Sequence, residues 1–233
     1  MNEEESIPPL AEEVSSALDA AGRDWECVWL DDASTDSTPE VLRALAEANP
    51  RHRWFQATVN RGQSAALAAG FRLAQGAVLG TLDGDGQNNP ADLPGLLDRL
   101  DKDDVDMVNG IRAKRQDTWV RKLSSKIGNG FRNGLTGESV TDVGCAIRVF
   151  RRECVLQIPV FRGMHRFLPT LVKMQGFRIT EQPVDHRPRE RGVTKYGIGN
   201  RLWVGIGDTL AVRWMQRRMV WDLSTTDGNQ EGK

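Results

Sequence analysis

Cysteine is scarce in this chain, and long apolar runs are absent. Three cysteines in 233 residues, Cys27, Cys145 and Cys154, are odd in number and show no metal-ligand spacing. They argue against a disulfide framework and a zinc module, and they read as packing thiols in a reducing compartment. No apolar stretch reaches the roughly 20 residues of a transmembrane helix, and the first residues carry no signal-peptide pattern. What remains is an ordinary soluble composition, 39% hydrophobic, with length for one α/β domain, a real core and an added arm.

The net charge of −1 conceals an asymmetry. Residues 1–108 carry 8 Lys/Arg against 21 Asp/Glu, whereas residues 109–218 carry 22 against 8. A basic second half suits phosphate groups, an anionic membrane surface or nucleic acid.

Hydrophobic runs and breakers alternate. Strands are expected at 25–30, 52–59, 77–82 and 105–111, with helices at 11–21, 39–48, 64–75 and 92–100. Val41, Leu42 and Leu45 mark the buried side of the second helix, and Asp36 or Thr38 can cap it. Residues 112–123 read as a mobile basic loop, followed by a helix to 135. Further strands are expected at 145–150 and 177–184, with a helix at 166–175. This order predicts a mostly parallel sheet with helices on both faces, in which ligands sit beyond the carboxyl ends of strands. Both Asp31-Asp32 and Asp83-Gly84-Asp85-Gly86-Gln87 fall at such ends.

The second of these segments is the most informative. Two carboxylates one residue apart at a strand end can turn toward one cation, and the glycines let the backbone bend closely around a ligand. Asp83, Asp85 and Gln87 offer hard oxygen donors suited to Mg²⁺ or Mn²⁺, and so small a set leaves room for phosphate oxygens. From residue 200 to 221 a helix is expected, with Trp203, Leu210, Trp214 and Trp221 on one face near Arg213, Arg217 and Arg218. That face suits either a membrane interface or the protein's own core. Residues 223–233 read as a disordered tail.

In combination these segments resemble the family 2 glycosyltransferases of the GT-A fold, in particular the polyprenyl- and dolichyl-phosphate sugar synthases. The resemblance covers residues 2–200. Asn2-Glu3-Glu4 is similar to the family's N-E-x-E segment. Asp31-Asp32-Ala33-Ser34-Thr35-Asp36 resembles its D-D-x-S-x-D nucleotide loop, with Ala33 and Ser37 where glycine is usual. Asn60-Arg61-Gly62 and Gly70 fit the next helix, and Asp83-x-Asp85 fits the metal motif. Gly110-x-Arg112, Arg121-Lys122-x-x-Ser125 and Asp142-x-Gly144-Cys145 look like acceptor-side elements. Arg187 with Arg191-Gly192-x-Thr194-Lys195-Tyr196 resembles the closing loop. The Q-x-x-R-W motif of processive synthases is not found. The family also places a strand before its N-E-x-E segment, so the chain is expected to be short by a central strand, through a misplaced start or a natural deletion.

The resemblance implies an inverting, metal-dependent transfer of a sugar from a UDP- or GDP-linked donor to polyprenyl (undecaprenyl or dolichyl) phosphate. It implies Mg²⁺ or Mn²⁺ at Asp83, Asp85 and Gln87, and donor contacts from Glu3, Asp31, Asp32, Asp83, Gln87 and Arg187. Arg112, Arg121 and Ser125 are expected to hold the acceptor phosphate, with Asp85, Arg121, Arg191 and Lys195 central to catalysis. A peripheral position at the cytoplasmic face of the membrane is expected, with no nucleic-acid partner. The competing readings are a truncated, non-catalytic remnant and a nucleotide-binding α/β module.

Overall fold

The computed structural model describes residues 1–113, 130, 132–137, 140–188 and 201–220, with side chains from residue 204 onward in the last segment. Helix and strand alternate through the first half: α1 (Ile7–Ala20), β1 (Cys27–Asp31), α2 (Thr38–Ala48), β2 (His52–Gln56), α3 (Gln63–Leu73), β3 (Val78–Thr81), α4 (Leu93–Lys102) and β4 (Met107–Arg112). Then come β5 (Arg148–Arg151), α5 (Glu153–Leu156), α6 (Leu168–Met174), β6 (Ile179–Val184) and α7 (Arg201–Arg218). In α1 the prolines occupy the first turn, where a missing N–H costs nothing, and Leu10, Val14 and Leu18 recur on the buried side.

The strands divide into two sheets rather than the single sheet expected. β1 pairs with β2 in parallel. The other four run in the order β3-β5-β4-β6. There β4 and β6 are parallel, whereas β5 is antiparallel to both β3 and β4. Adjacent residues of the middle strands point to opposite faces. Met107 and Phe150 enter a core with Phe71, Leu168, Leu171 and Val212. Val108 and Val149 enter a second core with Leu10 and Val14 of α1 and Leu96 and Leu100 of α4. Helices therefore cover both faces, as the alternation predicts.

Every residue of β1 and β3 lines a cleft of 1710 Å³, shared with Leu10, Val14 and Leu18 of α1 and with Gly70 and Phe71 of α3. Among the described residues β1 has a strand neighbour only in β2, and β3 only in β5. The two sheets thus meet this cleft with backbone edges rather than with each other.

The expected strands are all somewhat shorter in the structure, and two depart most at one end. The strand at 52–59 ends at Gln56, the last residue in register with β1. The strand at 145–150 starts only at Arg148, because the Cys145 carbonyl turns to the Arg148 guanidinium (Nε–O 3.1 Å). The basic loop and most of the helix expected between 112 and 135 lie outside the described residues, as does the tail at 223–233.

Where β4 passes this turn, the approach demands glycine. A Cβ on Gly110 would lie 2.6 Å from the Ile147 carbonyl oxygen and 2.9 Å from Cys145 Sγ. Neither is the free end of a flexible chain. Gly110→Ala is therefore expected to cost about 1–3 kcal/mol, measured as a lower urea midpoint; an unchanged midpoint would show that the turn yields freely.

Candidate active site

β3 ends at Thr81 and delivers Asp83 and Asp85 to a tight turn at the carboxyl end of the sheet. Gly86 has φ +72, the left-handed region that glycine occupies without strain. The Asp85 carboxylate accepts the Gln87 N–H (3.1 Å), and the Asp83 N–H donates to Asn88 Oδ1 (3.0 Å). From the start of α3, Gln63 donates to Asp83 Oδ1 (2.8 Å).

The chain leaving β6 folds back over this turn. Arg187 N–H donates to the Gln87 carbonyl (2.9 Å), Gln87 Nε2 donates to the Arg187 carbonyl (3.3 Å), and Asn88 bridges to His186. The Arg187 guanidinium is aimed by Glu13 of α1 (2.8 Å) and by Asn89 Oδ1 (2.9 Å). A predicted donor-side arginine and the Asp83–Gln87 turn, about 100 residues apart, are thus one structure.

Among the described residues no cluster of three or more His, Cys, Asp or Glu could hold a metal ion. Two carboxylates and an amide at a strand end fit only a cation that takes its other oxygens from a ligand, as Mg²⁺ and Mn²⁺ do beside phosphates. The donor set therefore fits a metal shared with a phosphorylated substrate.

At the end of β1 the carboxylates of Asp31 and Asp32 serve the loops around them. Asp31 is buried and accepts the Ser34 N–H (3.2 Å) and the Ser34 hydroxyl. Asp32 accepts the N–H groups of Arg61 (2.8 Å) and Gly62 (2.7 Å), fixing the entry to α3. Asp36 accepts the Thr38 N–H (3.1 Å) from one residue before the N-cap of α2, which is Ser37 rather than Asp36 or Thr38 and makes no side-chain capping bond. Ala33, at a position where the resemblance has glycine, is held at φ +57. The N-terminal residues brace this loop: Asn2 N–H donates to Ser34 Oγ (2.8 Å), Glu3 N–H to Thr38 Oγ1 (3.0 Å), and Ser37 N–H to the Glu4 carboxylate (2.8 Å). Glu3 itself lines the cleft.

Arg112, expected at the acceptor phosphate, makes a bidentate pair with Asp142 (2.7 and 2.8 Å). Asp142 is buried, and Gly144 leaves the room this pair needs, since a Cβ there would sit 2.8 Å from the guanidinium. The sequence offers both residues, but not their pairing. Arg121, Ser125, Arg191 and Lys195 lie outside the described residues.

Three residues of the surroundings escape a motif reading: Ser64, Arg148 and His165. Arg148 is a charge inside an apolar strand pattern, which is a detectable signal. It is buried and donates to the carbonyls of Val143 (3.2 Å), Cys145 (3.1 Å) and His165 (3.0 Å). Burial pulls its pKa down, and the nearby Asp83 and Asp142 charges push it back up. His165 Nδ1 meets Ser64 Oγ at 3.0 Å, and that hydroxyl oxygen accepts the Gly163 N–H (3.1 Å). A lone histidine carries no such information in sequence.

Two outcomes follow from these contacts. Ala33→Gly should relieve a left-handed backbone and stabilise the fold by about 1 kcal/mol in a thermal or urea melt; no gain would mean that the loop is unstrained. Burial, with Arg166 and Arg148 nearby, lowers the His165 pKa from 6.5 to about 4. Between those values the unfolded chain binds the proton and the folded one does not. Stability is therefore full above pH 6.5 and falls toward pH 4, by up to about 1.4 kcal/mol per pH unit. His52, also lowered by burial, adds in the same sense. His165→Gln should flatten urea midpoints measured across this window; an unchanged slope would remove His165 as its source.

Known proteins resemble this chain in sequence and in fold. The family model for Glycosyl transferase family 2 matches residues 1–158. The chain is 36% identical over 220 residues to dodecaprenyl-phosphate galacturonate synthase of Rhizobium johnstonii, covering 93% of this chain and 65% of that protein. It is also 36% identical over 199 residues to undecaprenyl-phosphate 4-deoxy-4-formamido-L-arabinose transferase of Edwardsiella ictaluri, covering 84% and 61%. The chain thus spans between 60% and 65% of the length of such curated relatives.

Glucosyl-3-phosphoglycerate synthase of Mycobacterium tuberculosis, solved with Mn²⁺ and uridine-diphosphate-glucose, superposes with a TM-score of 0.66 at 20% identity over 91% of this chain and 76% of that one. A mannosyltransferase of Pyrobaculum calidifontis, solved with GDP-Man and Mn²⁺, gives 0.56 at 22% identity over 90% and 60%. These likenesses establish the expected GT-A fold. The family match takes in both strand-end acidic loops and extends beyond β5, and with more than half of its length so matched the chain belongs to glycosyl transferase family 2.

Proposed function

We propose that this protein transfers a sugar from a nucleoside diphosphate sugar, UDP- or GDP-linked, to the phosphate of a polyprenyl phosphate lipid, with inversion at the anomeric carbon. The observation that carries the reading is the Asp83–Gln87 turn held against Arg187 at the carboxyl end of β3. Two relatives, each named as a polyprenyl-phosphate sugar enzyme, suggest the acceptor class. A divalent ion, Mg²⁺ or Mn²⁺, at Asp83 and Asp85 with Gln87 alongside would supply Lewis-acid neutralisation of the departing diphosphate.

The chain's own groups divide the remaining work. Glu3 and the loop bearing Asp31 and Asp32 form the nucleoside side, where both carboxylates already order the backbone. Arg187, aimed by Glu13, stands beside the diphosphate. A phosphate monoester, with a second pKa near ~6, is mostly dianionic at neutral pH and needs little base catalysis. One of its oxygens bonds to the anomeric carbon from the side opposite the departing diphosphate. Holding two anions together calls for cations: Arg121 with Ser125 at the acceptor, and Arg191 and Lys195 as the chain closes. Arg112, tied to Asp142, orders the wall on that side.

Among the described residues no helix is long and apolar enough to cross a membrane. Because the proposed acceptor is a lipid, we place the protein peripherally at the cytoplasmic face of the membrane. A second reading, a fold that keeps the site without turnover, is favoured by the cleft that opens beside β1 and β3.

Asp85→Asn keeps an oxygen for the Gln87 N–H but loses the charge. Turnover should fall about 10²- to 10³-fold, and the Mn²⁺-dependent rise in melting temperature with UDP or GDP should disappear. Full turnover in this variant would overturn the metal role. A cooperative melt of the unaltered protein with no shift from any nucleotide would favour the second reading.

A further inference from the structure

Sequence leaves α7 with two possible uses for its tryptophan stripe, and the packed side of the helix decides between them. Thr209 and Val212 are buried, Met215 packs against the core with α6, and Gln216 donates to the Thr136 carbonyl (2.9 Å). Asp208 on the same side pairs with Arg166 (2.6 Å). These contacts use one face, and Leu210 and Trp214 of the stripe are on the other. Val204 is 43% exposed, Leu210 52% and Trp214 62%.

At 3.6 residues per turn, Val204, Gly207, Leu210, Ala211, Trp214, Arg217 and Arg218 fall within an arc of about 140°. The arc is apolar or small until its carboxyl end, where the two arginines are exposed. It contains no carboxylate. Scattered exposed apolar residues need no explanation, but a tryptophan and a leucine aligned above a basic end do.

We infer that this face of α7 is the surface by which the protein docks on a membrane carrying anionic headgroups. The apolar side chains enter the boundary between headgroups and acyl chains, and Arg217 and Arg218 meet lipid phosphates. A second copy of the chain is a poorer occupant, because the arc offers no acid to a partner's arginines, whereas a phosphate layer does. The inference deepens the proposed membrane attachment and rests on it. It does not depend on sugar transfer, because the test uses vesicles without polyprenyl phosphate or nucleotide.

The experiment is co-sedimentation with mixed phosphatidylcholine–phosphatidylglycerol vesicles, and with pure phosphatidylcholine vesicles for comparison. The unaltered protein should bind the anionic vesicles, weaken with added salt, and bind the neutral ones poorly. Arg217→Glu/Arg218→Glu should lose at least about fivefold per arginine, and Trp214→Glu about tenfold or more. Leu210→Ser is a milder second variant, and Lys102→Glu on α4 should bind normally. Thermal melts confirm that each variant folds, as the exposed positions require. No binding to anionic vesicles, or binding undiminished in the folded Trp214 and Arg217/Arg218 variants, overturns the inference. So does self-association of the unaltered protein that Trp214→Glu abolishes, since a second copy would then cover the face.

Discussion

The buried guanidinium of Arg148 is the interaction on which the ordering of this molecule most depends. It sits on β5, between Thr81 of β3 and Asn109 of β4 in the register. A buried charge is tolerated only if its donors are satisfied and opposite charge is near. Here the donors go to backbone carbonyls at Val143, Cys145 and His165, so the turn before β5 and the segment at His165 are drawn to one point. The opposite charge is that of Asp83 and Asp142. The first belongs to the strand-end acidic turn, and the second aligns Arg112. One cation therefore sets its charge near the carboxylate of the proposed metal site, while it fixes the wall across from it.

This coupling explains why some features were legible in the sequence and others were not. The alternation of strand and helix, and the position of Asp31-Asp32 and Asp83-x-Asp85 at strand ends, follow from local periodicity and turn chemistry. The helices flanking β1 to β4 were readable within a few residues for the same reason. The antiparallel β5 was not, because its direction depends on pairing with β3 and β4, which local pattern does not encode. The division into two sheets likewise depends on which edges find partners. Arg112 was legible as a cation near the acceptor side, but its bidentate partner Asp142 is 30 residues away. Ser64 and His165 are 101 residues apart, and neither residue type announces the contact. For α7 the period was readable, whereas the face turned inward was set by Phe167, Leu171 and their neighbours in the core.

The cleft between β1 and β3 changes what holds the proposed nucleoside loop. In a continuous sheet a strand end is fixed by ladders on both sides, but among the described residues β1 is paired on one side alone, to β2. The loop that follows it is instead tied by the turn at residues 2–4, through contacts to Ser34, Thr35, Ser37 and Thr38. Asp32 extends the lattice to Arg61 and Gly62 at the head of α3. From there Gln63 reaches Asp83. The acidic turn and the nucleoside loop are therefore linked across the cleft by a chain of side-chain and backbone hydrogen bonds rather than by strand pairing. Each such bond is worth about 1 kcal/mol net, and several of these are solvent-exposed. The site on this side is thus built from contacts that are individually weak, and a ligand that bridges the Asp31–Asp32 loop and the Asp83–Asp85 turn would add the missing cross-link. Nucleotide binding should consequently order and stabilise this half of the molecule more than the β4–β6 half, whose ladder of six register pairs is complete without it.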